Sequence, residues 1–69
     1  MTNEIIFLVS DSPEGGFEAR ALGHSIYTEA DDADELREMV RDAVAVHFDA
    51  ADRPGVIRLH FVREEVLAA

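Results

Sequence analysis

The chain has 69 residues. That is room for one hydrophobic core and not two, which excludes an enzyme built from separate cofactor and substrate domains. Fifteen Asp and Glu stand against six Arg, with no Lys, for a formal charge of -9; such a surface repels phosphate and anionic lipid, so nucleic acid and membrane are poor partners and a basic protein is a better one. A composition 48% hydrophobic and 30% charged is that of a folded chain, and the lack of Cys removes disulfides and thiolate zinc sites.

Glu4 to Ser10 is β-branched and aromatic and apolar on both faces, the pattern of a central strand. Its apolar run, Ile5 to Val9, is too short for a secretory leader or a membrane span, so the expected location is cytoplasmic. Asp-Ser-Pro-Glu-Gly-Gly at 11–16 supplies turn chemistry, with Pro presetting φ and Gly admitting positive φ. No helix is expected after Gly15-Gly16, so the pair reads as turn geometry and not as a phosphate loop. Gly16 to Ala21 alternates, Phe17, Ala19 and Ala21 against Glu18 and Arg20, predicting a half-buried strand. Leu22-Gly23 is expected to close a tight hairpin into a third strand at His24 to Glu29, with Ile26 and Tyr27 on opposite faces.

Ala30 to Asp49 reads as one long helix. Asp32 and Glu35 have capping-box spacing, and acidic residues crowd the first turn where the helix dipole favours them. Leu36, Met39, Val40, Ala43 and His47 are expected to form the stripe facing the sheet. After Ala50 to Gly55, Ala-Ala-Asp-Arg-Pro-Gly, which breaks the helix and forms a loop, Val56 to Val62 alternates again, Ile57, Leu59 and Phe61 against Arg58 and His60, and predicts a fourth strand.

The fold class is therefore α+β, in the order β-β-β-α-β. Three antiparallel strands and a right-handed helical crossover to a parallel fourth give a four-stranded mixed sheet of order 3-2-1-4, with one helix on one face. The expected core is Phe7, Phe17, Leu36, Val40, Ala43, Leu59 and Phe61. Glu18, Arg20, Tyr27, Glu29, Arg58 and His60 are expected on the uncovered face. His24 and His60 are the pair most available for acid-base or metal chemistry, but without Cys or His-x-x-x-His spacing no metal or cofactor site is expected. His47 reads as a packed or partner-facing imidazole, and no carboxylate pair is tied by spacing to a pocket.

Pro13-Glu14-Gly15-Gly16-Phe17-x-Ala19, followed by Thr28-Glu29-Ala30-Asp31-x-x-x-Glu35-Leu36 at the helix start, resembles the N-terminal domain of HicB-like antitoxins and related short stand-alone prokaryotic proteins. The resemblance covers residues 4 to 62 and implies a partial RNase H-like fold, with residues 1–69 forming a single HicB-like domain. It further implies a non-catalytic module that binds and neutralises a small basic RNA-cleaving toxin of HicA type, with no cofactor. The family's usual helix-turn-helix or ribbon-helix-helix segment has no counterpart before Ala69, so operator binding is not expected. Glu18, Tyr27, Glu29 and Asp31 are the candidate partner-binding residues. The thin core and open sheet edges also point to a homodimer or higher oligomer. Two other readings stay open: a homo-oligomeric protein without a toxin partner, and a small His- or metal-dependent hydrolase.

Overall fold

The computed structural model describes residues 3–69. Strand β1 (Glu4–Asp11), β2 (Phe17–Ala21) and β3 (Tyr27–Ala30) precede helix α1 (Ala33–His47), and β4 (Val56–Phe61) follows it. The sheet order is β3-β2-β1-β4, with β4 parallel to β1 and the other pairs antiparallel, as the element order required. Among the described residues no helix is long and apolar enough to cross a membrane.

Register assigns the two faces. Ile5, Phe7 and Val9 of β1 lie level with Ile57, Leu59 and Phe61 of β4, while Phe7 and Val9 lie level with Ala21 and Ala19 of β2. These residues share the helix-covered face with Thr28 and Ala30 of β3. Phe7, Val9, Ala19 and Leu36 are wholly buried, and Val40 and Val44 nearly so. Each such large side chain contributes about 1.5–3 kcal/mol by leaving water.

Helix α1 starts at Ala33 and not Ala30, because Ala30 remains in the sheet opposite Phe17. Asp32, extended at φ -144 and ψ 174, caps it: the carboxylate accepts the Glu35 N–H at 2.8 Å. The helix stops at His47, before the expected Asp49, because Phe48 turns extended while its N–H still reaches the Val44 carbonyl at 3.1 Å. The expected stripe is also corrected. Leu36, Val40 and Val44 form the buried row, whereas Met39 and His47 are exposed, because α1 packs across β2 and β3 on its i, i+4, i+8 ridge.

That placement leaves the far end of β4 uncovered. Phe61, expected in the core, is 50% exposed; Phe17, Ala43 and Leu59 are partly buried at the core's margin. Phe17 and Phe61 meet edge to face at 5.9 Å between ring centres. The third strand is shorter than expected: residues 22–26 form a loop, with Gly23 at φ +80 and the Ala21 N–H donating to the Ile26 carbonyl at 3.0 Å. His24 thus leaves the sheet, although Ile26 is buried and Tyr27 exposed, on opposite sides as the alternation required.

Candidate protein-interaction face

The face turned away from α1 carries Ile6, Leu8 and Ser10 of β1 at its centre. Register sets Ser10 beside Glu18, Leu8 beside Arg20, Glu18 beside Glu29 and Arg20 beside Tyr27. Leu8 and Val62 give an apolar floor, and Ser10, Glu18, Arg20 and Tyr27 a polar wall, to a shallow groove of about 310 Å³. Three of the four candidate residues, Glu18, Tyr27 and Glu29, are brought together here.

Two carboxylates directly opposed across a strand pair repel each other. The Tyr27 hydroxyl answers part of that charge by donating to Glu29 Oε1 at 2.6 Å. This hydrogen bond is the main reason the phenol is pushed up to about 12, with desolvation and the nearby Glu18 charge adding in the same direction. At neutral pH the group is a fixed donor, and Tyr27 presents an aromatic surface that is 57% exposed beside two carboxylates.

The fourth candidate, Asp31, lies at the junction of β3 and α1. It lines a second recess of about 270 Å³ with Glu14, Glu29 and Glu35, closed by Ser12, Gly15 and Phe17. Four carboxylates and no Arg line this recess. Gly16 makes the arrangement possible: at φ +83 it passes so close to the β3–α1 junction that a Cβ would collide with the Ala30 carbonyl oxygen. The turn is tied by the Ser12 N–H donating to the Gly16 carbonyl and the Gly15 N–H to that of Ser12, each at 3.0 Å. Glu29 thus serves both regions, through Tyr27 on the open face and as part of the acidic recess at the edge.

The remaining polar candidates are scattered. Arg58 pairs with Glu4 across β1 and β4; the guanidinium donates its Nε–H to the Glu4 carboxylate, which lowers the Glu4 pKa, and the carboxylate raises that of Arg58. His60 stands opposite Leu8 on the open face. His24 is not beside His60 but packs edge to face on Phe48 and His47, at ring distances of 5.0 and 5.9 Å, pinning the β2–β3 loop to the end of α1. The two-histidine cluster of His24 and His60 that the sequence left open is not formed, because His24 belongs to the loop. Among the described residues no group of three or more His, Asp or Glu is placed to hold a metal ion.

Sequence reasoning did not place Glu14 and Glu35 in the candidate surface, nor Leu8 and Val62 in the groove floor. Glu14 and Glu35 carried local explanations, a turn and a helix cap; their convergence depends on the close approach at Gly16, whose only sequence signal is the paired glycines.

No family model matches the chain, and no solved structure matches it. Two relatives do. A UPF0150 protein of Archaeoglobus fulgidus is 54% identical over 50 residues, which is 72% of this chain and 74% of that one. A UPF0150 protein of Thermotoga maritima is 37% identical over 65 residues, 94% of this chain and 91% of that protein. With identity of 37% or more over at least 72% of this chain in each comparison, the chain belongs to the UPF0150 family.

Proposed function

We propose that this chain is a non-catalytic interaction module of HicB-like antitoxin type, which binds and neutralises a small basic RNA-cleaving toxin in the cytoplasm. The observation that supports it most is the position of Glu29, which joins the Glu18–Tyr27 face to the recess formed by Glu14, Asp31 and Glu35. A nuclease that grips RNA must present Arg or Lys to phosphate. A surface with carboxylates on two adjoining walls offers those cations an alternative anion, and bidentate Arg–carboxylate pairs add geometry to charge. Exposed Tyr27 gives such a cation an aromatic face to stack on. The charge of -9 speeds the encounter, while the apolar floor of Leu8 and Val62 supplies contact that salt does not screen.

The test is co-expression with the product of a neighbouring reading frame, which the proposal requires to be a small basic polypeptide. The expected result is a complex that survives purification at physiological salt and suppresses RNA cleavage. Failure to form it, or retention of an RNA duplex by this chain alone at the same salt, overturns the reading.

A further inference from the structure

Helix α1 covers β2 and β3 and leaves a groove between itself and β4. The groove holds about 400 Å³ and is lined by Val40, Ile57 and Leu59 with Pro54 and Gly55, beneath Arg37 and Arg41 one helical turn apart. Its floor is apolar, its rim is basic in a chain of charge -9, and β4 beside it is a sheet edge with unpaired backbone groups. Arg37 shares an exposed pair with Asp34 at 2.8 Å, and Arg41 has no ion pair among the described residues.

Residues 62–69 have no regular structure and are all exposed, Val66 and Leu67 at 92% and 78%. The molecule measures 51 × 22 × 19 Å. Val62 still donates its N–H to the Val9 carbonyl at 2.7 Å; an eight-residue strand spans only about 27 Å, and the residues beyond Val62 account for the excess, so the chain after it projects from the body. Its sequence, Arg63-Glu64-Glu65-Val66-Leu67, sets two carboxylates before two apolar side chains, the complement of a basic rim over an apolar floor. In an extended segment Glu65 and Leu67 share a face. With no Gly or Pro between Phe61 and Ala69, the segment lacks the residues that would reverse it onto its own β4.

We infer that residues 63–67 of one copy dock in the α1–β4 groove of a second copy, reciprocally. The segment adds to the β4 edge with Leu67 over Ile57 and Leu59 and Glu65, on the same face, against the Arg37 and Arg41 rim, while Glu64 turns to the other face and adds to the charge attraction only. The contact relieves three exposed features together: the open edge, the half-covered side of the core and the projecting apolar residues. It uses the side of the molecule opposite the acidic recess and stands apart from the antitoxin reading.

The experiment is sedimentation equilibrium of the full chain with no other protein present. The wild type is expected to dimerise, and Leu67→Asp, a change at an exposed position that leaves the fold intact, to weaken self-association roughly tenfold or more. Arg37→Glu with Arg41→Glu in one variant, and Glu64→Arg with Glu65→Arg in another, are each expected to be monomeric. Mixed together they should form heterodimers, since each groove then meets a tail of opposite charge. A monomeric wild type at high micromolar concentration, an undiminished Leu67→Asp dimer, or charge-reversed variants that dimerise alone or fail to pair when mixed overturns the inference.

Discussion

Glu18 and Glu29 stand directly opposite each other on β2 and β3, two carboxylates in one cross-strand pair, with the Tyr27 hydroxyl bonded to Glu29 at 2.6 Å. A sheet selected only for stability would place opposite charges or an aromatic pair there. The repulsion is tolerable on an open face, and it leaves uncompensated negative charge where an incoming cation would relieve it.

The Tyr27 hydrogen bond has a direct spectroscopic consequence. Tyr27 is the only tyrosine and the chain has no tryptophan, so phenolate absorbance reports this group alone. The midpoint is expected at about 12, against an ordinary value of 10.0. A raised pKa means the folded state favours the protonated phenol: the stabilisation is fully present below pH about 10 and is lost as pH rises through about 12. In Glu29→Gln the midpoint should fall toward the ordinary value. A wild-type midpoint already there would refute the Tyr27–Glu29 hydrogen bond.

Core substitutions should follow the coverage by α1. Leu36 is fully buried under the helix and Leu59 only partly buried at its margin, so Leu36→Ala should cost about 2–5 kcal/mol and Leu59→Ala about 1–2 kcal/mol. Urea denaturation measures both, and equal midpoints would mean that the helix sits over β4 after all.

Periodicity was enough to read the strands, the single helix and the sheet order, because one core and one crossover leave few arrangements. It also sorted the faces, since alternation assigns Glu18, Arg20, Tyr27 and Glu29 to one side without knowledge of partners. What it could not supply was the lateral position of α1. Leu36, Met39, Val40, Ala43 and Val44 all fall within one apolar arc, and whether Met39 or Val44 meets the sheet depends on which strands the helix crosses. The exposure of Phe61 and the groove beside β4 follow from that same unspecified shift. The acidic recess was hidden for another reason: it joins two segments distant in sequence, the turn at 12–17 and the β3–α1 junction at 29–35, and only the packing of Gly16 against Ala30 brings them together.

The two turn glycines should therefore differ. A Cβ at Gly15 meets nothing within 4 Å, so Gly15→Ala carries only the positive-φ strain of about 1–2 kcal/mol. A Cβ at Gly16 collides with the Ala30 carbonyl and comes within 3.0 Å of the Asp31 Cα, both backbone atoms that cannot swing aside. Gly16→Ala is expected to lower the denaturation midpoint distinctly further than Gly15→Ala. Equal midpoints would show that the turn does not press on the β3–α1 junction.

The acidic surface makes the last prediction. Glu29 and Asp31 are exposed and make no contact on which the core depends, so reversing both to Arg should leave the circular dichroism spectrum unchanged. Glu29→Arg with Asp31→Arg removes two of the four carboxylates of the recess and turns a uniformly negative pocket into a neutral one with cations at its centre. Capture of a basic toxin should weaken by about tenfold or more, since like charges across a contact are costly and encounter is slowed. Raising the salt should narrow the gap between variant and wild type, because screening acts on the part of the difference that is long-range. The matched control is Asp49→Arg with Asp52→Arg, which makes the same change in net charge beyond the end of α1, away from the recess. If the control weakens capture as much as the recess variant does, net charge and not the site governs binding. If neither does, the acidic recess is not where the partner sits.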